Sequence, residues 1–105
     1  MSYYDRDGNP IPMTEWANLI ESKTAQRVAE TTIGDAWVST VWMGIDHSFG
    51  QGPPVIFETM IFRAKDATGE LPAAIDDADY QERYCTEAEA LAGHDRAVAW
   101  VRERI

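Results

Sequence analysis

Two stretches near the middle of the chain are apolar on both of their alternating faces. Trp37 to Ile45 carries Trp37, Ser39, Val41, Met43 and Ile45 on one parity and Val38, Thr40, Trp42 and Gly44 on the other. Val55 to Ala64 carries Val55, Phe57, Thr59 and Ile61 on one parity and Ile56, Glu58, Met60 and Phe62 on the other. Side chains two residues apart share a sheet face, so both runs predict strands. An antiparallel sheet with one wet side would alternate cleanly between apolar and polar, and these runs do not. Cover is therefore expected front and back. Upstream, Arg27 to Ile33 contributes Val28, Thr31, Thr32 and Ile33 and meets the next run across Gly34-Asp35, which predicts a tight hairpin. A last short strand is expected near Tyr80 to Cys85.

Helical periodicity flanks these strands. Met13, Trp16, Ala17 and Ile20 recur at three- and four-residue spacing, predicting a short helix over Glu15 to Lys23 with Thr14 as its N-cap. Thr86-Glu87-Ala88-Glu89 has the form of a capping box and opens a longer helix. Its stripe is Ala90, Leu91, His94, Ala97, Val98, Val101 and Ile105, interrupted only by Gly93, for which a close approach by another backbone is the expected reason. Asp-Gly-Asn between Tyr4 and Pro10 predicts a turn or small hairpin. The elements add up to one α+β domain over 1–105: an antiparallel meander of about four strands, one short N-terminal helix and one longer C-terminal helix. Asp66 to Glu82 is acidic and aperiodic, and its 66–79 portion is expected to be a flexible loop. Two helices cover one sheet face well and the other poorly, so a homodimer is expected to shelter the second.

At 105 residues the chain suits a single core. Nine Lys and Arg stand against eighteen Asp and Glu, a formal charge of -9 without a basic cluster. Direct nucleic-acid binding is disfavoured on that balance, because phosphate recognition needs clustered cations. Mimicry of a nucleic-acid backbone by an acidic surface stays open. Cys85 is the sole cysteine and has no internal disulfide partner, and Met1 to Pro10 lacks the apolar centre of a signal peptide, so a cytoplasmic location is expected. No run approaches the ~18 apolar residues of a membrane span.

Candidate chemistry concentrates in Asp46-His47-Ser48-Phe49-Gly50-Gln51-Gly52-Pro53-Pro54, which joins the central strands. Glycines and tandem prolines give such a loop a defined shape, and its acid, imidazole, hydroxyl, amide and aromatic side chains suit contact with a ligand or partner. The candidate binding residues are Trp42, Asp46, His47, Phe49, Gln51 and Glu58. Glu58 interrupts a greasy strand and is expected to pair with Arg27 or Arg63. Capture of a nucleotide would require Arg27, Arg63 or another cation to converge with an aromatic. A hydrolase would require His47 and Glu58 to meet, with His94 as an optional third member, and Ser48 beside His47 has the residue types without the geometry. Asp5, Asp7 and Asn9 have the opening spacing of a calcium loop, but Pro10 and Trp16 stand where its Gly and Glu belong. Asp46, His47, Glu58 and His94 show no metal-ligand spacing. No cofactor, metal or catalytic set is expected.

The segments Val38-Ser39-Thr40-Val41-Trp42-Met43-Gly44-Ile45-Asp46-His47, Gly52-Pro53-Pro54, Ile56-Phe57-Glu58-Thr59-Met60-Ile61-Phe62 and Arg83 to His94 resemble an uncharacterised family of small bacteriophage and actinobacterial proteins. The resemblance covers about half of the chain and implies origin rather than activity. Small phage proteins often act by binding host components. The expected function is accordingly a non-catalytic binding protein that holds a host protein or small ligand through the 46–54 loop. The alternatives are a counter-defence nucleotide binder or DNA mimic, and a small hydrolase using His47 and Glu58.

Overall fold

The computed structural model describes residues 2–63 and 80–104. A hairpin of β1 (Tyr3–Tyr4) and β2 (Pro10–Ile11) leads into α1 (Met13–Glu21) and α2 (Lys23–Gln26). Four strands follow, β3 (Arg27–Ile33), β4 (Ala36–Trp42), β5 (Phe57–Arg63) and β6 (Gln81–Tyr84), and α3 (Glu87–Arg102) ends the chain. The four long strands form one antiparallel sheet in the order β3-β4-β5-β6, a meander. The fold is α+β, as the periodicity predicts. The acidic loop expected at 66–79 lies outside the described residues.

Local chemistry sets most element boundaries. Asp5 shapes the first turn, its Oδ1 accepting the backbone N–H groups of Asp7 and Asn9 at 3.0 and 2.9 Å. The first helix starts two residues earlier than Thr14 would dictate. Pro12 is its N-cap, has no N–H to leave unsatisfied, and its carbonyl accepts Trp16 N–H at 3.0 Å. Ser22 ends α1 in an extended conformation, and its side chain accepts Ala25 N–H to cap α2, a turn of helix the periodicity does not reveal. β4 stops at Trp42 because the chain bends at Gly44, which has φ +72 and lies against the Trp16 and Trp42 rings. The capping box of α3 is complete, with Thr86 and Glu89 satisfying each other's backbone donors.

The core forms where α3 lies on the sheet. Ala36, Val38, Thr40 and Trp42 of β4 and Phe57 and Thr59 of β5 point toward the helix and are buried, as are Ala90, Gly93, His94, Ala97 and Val101 of α3. Burying side chains such as Val38, Phe57 and Trp42 stabilises the fold by about 1.5–3 kcal/mol each. Gly93 has its reason here, and it is a side chain rather than a backbone: the Tyr84 ring and hydroxyl occupy the space a methyl would take. A polar chain runs through the same layer. Tyr84 donates to Thr59 Oγ1 at 3.1 Å, Thr59 meets Thr40 at 2.6 Å, Thr40 meets His94 Nδ1 at 2.8 Å, and His94 Nε2 meets Thr31 at 2.9 Å. With Tyr84 as donor, each hydroxyl passes its proton along to Nδ1, and the Nε2–H of a neutral imidazole then donates to Thr31.

The opposite parity of the strands forms the second sheet face. Trp37 and Val41 of β4 and Met60 of β5 are half-buried there, and Phe62 is 41 % exposed. Among the described residues only α2 borders this face, beside Trp37, Ser39 and Val41. Among the described residues the chain thus covers one of the two apolar faces and leaves the other open.

Candidate functional site

The 46–54 loop is held at its base by one carboxylate. Asp46 Oδ1 accepts Ser48 N–H at 2.8 Å and Val55 N–H at 2.9 Å, and Oδ2 accepts the Ser48 hydroxyl at 2.8 Å. The Val55 and Ser48 backbone donors hold its pKa below the usual carboxylate range against a smaller opposing effect of burial. Asp46 therefore closes the loop as a staple between its two ends. His47 N–H continues the ladder to Val55 O at 2.9 Å, and its Nδ1 lies 2.9 Å from Ile45 O. A carbonyl only accepts, so Nδ1 carries a proton and donates it to Ile45 O. Ser48 spends its hydroxyl proton on Asp46, not on an imidazole.

The tip departs from ordinary turn chemistry. Gln51 N–H donates to Ser48 O at 3.2 Å across Phe49 at φ 56 and Gly50 at φ 79. Two consecutive positive φ values mark a type I′ turn, whose first central position favours Asn, Asp or Gly. Phe49 occupies it instead and is 90 % exposed. Gln51, next to it, is also exposed.

The remaining candidates lie elsewhere. Trp42 is 1 % exposed, within the cluster of Ile56, Phe57, Tyr84 and Ala90, and its buried Nε1–H has no acceptor among the described residues. Glu58 stands on the open sheet face, where its carboxylate takes Arg83 Nε–H at 2.9 Å and Gln81 Nε2–H at 2.8 Å. Arg83 is its direct neighbour in register on β6. Arg27 is two strands away, opposite Val41, and position 63 falls on the other parity, so neither expected cation is the partner. Trp42 and Glu58 thus belong to opposite faces of the sheet. So do Glu58 and His94, whose ring nitrogens both meet threonine hydroxyls. Burial pushes His94 below the ordinary histidine range, partly opposed by Asp95. His94 therefore does not join Glu58 as a third member of a hydrolytic set. Burial, with Glu89 and Asp46 nearby, pushes the Cys85 thiol up, which disfavours a thiolate nucleophile.

Two features escape sequence reasoning. Lys23, Gln26 and Arg27 border a cleft of about 260 Å³ whose floor is Trp37, Ser39 and Val41. It joins cations with an aromatic, although Arg27 is already held by Glu30 at 3.2 Å. Arg6 ties the N-terminal hairpin to the rest, donating to Glu87 at 2.7 Å and to Ala25 O at 3.3 Å. Neither is legible without knowing that α2 exists and where α3 begins. Among the described residues no group of His, Cys, Asp and Glu is arranged to hold a metal, and no helix is long and apolar enough to cross a membrane. No known protein family, curated protein or solved structure matches the chain.

Proposed function

We propose that this chain is a non-catalytic binding protein that engages a protein partner through the 46–54 loop, with Phe49 as the anchor. The observation that carries this reading is the tip itself. A bulky residue with positive φ is disfavoured by about 1–2 kcal/mol relative to ordinary backbone. Phe49 accepts that conformation while burying almost nothing in its own fold. It therefore serves neither packing nor turn geometry, and an aromatic ring held out on a stapled loop is suited to filling a pocket on another molecule. Asp46 holds the loop in shape for that contact, and Gln51 and His47 Nε2 add polar partners around it. A host component as the partner is part of this proposal and rests on the phage origin expected from the sequence alone.

The test is site-specific photocrosslinking. A photoreactive phenylalanine analogue at position 49 is expected to give one discrete covalent adduct in cells, and the same probe at Leu91, another exposed apolar residue, is expected to give none. Purified partner should then bind Phe49→Ala at least ~10-fold more weakly than the parent, the scale of an anchor residue. Equal affinity, or adducts that do not depend on position, would remove the basis of the reading.

A further inference from the structure

We infer that the open face of the four-stranded sheet is a homodimer interface, with a second copy of this chain packed face to face upon it. The face has an apolar centre of Trp37, Val41, Met60 and Phe62, and the Trp37 and Phe62 rings lie 5.5 Å apart. Its borders are charged but balanced. Arg27 pairs with Glu30 on the β3 side, and Arg83 pairs with Glu58 on the β6 side. An apolar centre with a polar rim is the anatomy of a protein interface.

Charge selects the occupant. The whole chain carries -9, so two copies repel over most of their surfaces. On this face the carboxylates of Glu30 and Glu58 are matched by Arg27 and Arg83, and Lys23 adds a further cation beside Trp37. It is a place where two such acidic molecules can meet without like-charge cost. A two-fold axis running along the strands sets the β3 edge of one copy over the β6 edge of the other, so the internally neutralised Arg27–Glu30 pair of one rim meets the internally neutralised Arg83–Glu58 pair of its counterpart.

Size agrees with this reading. With strands about 4.8 Å apart and about 3.4 Å per residue, three strands of seven residues and one of four give a flat footprint of roughly 400 Å². Side-chain relief raises the accessible area above the flat value, toward the ~800 Å² per partner of ordinary stable interfaces. Sheets stacked in this way lie about 10 Å apart, which leaves room for Trp37 and Phe62 to interdigitate with the partner's inner face.

Sedimentation equilibrium of the full chain, from micromolar to about 1 mM, is the experiment. The parent is expected to approach twice 11.8 kDa as concentration rises. Phe62→Lys should weaken association at least ~30-fold, the factor of a hot-spot residue. That substitution lowers the net negative charge, so a loss of association cannot come from added long-range repulsion between the two acidic molecules. Leu91→Lys carries the same change to α3, away from the sheet's open face, and Phe49→Ala removes the loop anchor; both should dimerise like the parent. Isotope-filtered contacts between Met60 methyls and Trp37 of different copies are expected in mixed-label samples. A parent that stays at 11.8 kDa at the highest concentration overturns the inference, and so does a dimer that survives Phe62→Lys or is lost in Leu91→Lys.

Discussion

Replacing Phe49 by Asn should make the protein more stable while weakening its binding. In the folded chain Phe49 has φ 56 and precedes Gly50 at φ 79. Asn tolerates the left-handed region because its short side chain bonds locally, and Asn-Gly is the preferred pair for a type I′ turn. Relief of the bulky residue's conformational cost contributes about 1–2 kcal/mol. Against it stands the loss of whatever burial Phe49 has. With 90 % of the residue exposed, about a tenth of the ~1.5–3 kcal/mol available to a buried Phe is lost, a few tenths at most. The balance favours Asn by roughly 1 kcal/mol, which corresponds to about 4–8 °C in Tm for a domain of this size. Urea and thermal unfolding of parent and variant measure it, and an unchanged m-value would show that the denatured state is unaltered. Phe49→Ala supplies the control. Alanine shares the penalty at positive φ, so it should leave stability close to the parent and assign the gain to the backbone. If Phe49→Asn is neutral or destabilising, Phe49 works inside the fold and the case for it as a partner anchor fails.

Other outcomes follow from the packing and the hydrogen bonds. Gly93→Ala gains about 1 kcal/mol of helix propensity, yet the new methyl would overlap the Tyr84 ring and hydroxyl and disturb the Tyr84–Thr59 bond. Overpacking of this kind costs about 1–3 kcal/mol, so net destabilisation by chemical denaturation is expected, and a stabilised variant would contradict the close contact. His94 is neutral in the fold because burial lowers its pKa from 6.5. The unfolded chain therefore binds the proton first, and stability should be complete above pH 6.5 and fall as pH drops from 6.5 toward the folded pKa. His94→Gln should lose that pH dependence in urea titrations across the same range. Asp46→Ala strands the N–H groups of Ser48 and Val55, and their hydrogen exchange should quicken along with a loss of about 1–2 kcal/mol, reduced by the loop's exposure. In the parent, Asp46 contributes stability that is present above its unfolded pKa of 3.8 and is lost as pH falls through its lower folded value.

Sequence alone determined what depends on neighbours along the chain. The strand and helix periods, the Thr86 capping box and the Asp-Gly-Asn turn are local patterns, so the α+β class and the order of its elements other than α2 were legible. That both central strands are apolar on each side was also readable, and it stated a need without naming what meets it. Tertiary structure decided which parity α3 occupies. The helix presents Ala90, Gly93 and Ala97, whose small side chains admit Tyr84 and the Thr40–Thr59 pair, and that choice left Trp37 and Phe62 outside. Partner identities followed from it. Arg83 rather than Arg27 or Arg63 meets Glu58 because register places it directly opposite, and His94 finds threonines from β3 and β4 because the helix crosses both strands. Register and helix placement are set by long-range packing of whole faces, and a pattern with a period of two residues is the same for every pairing that keeps those faces.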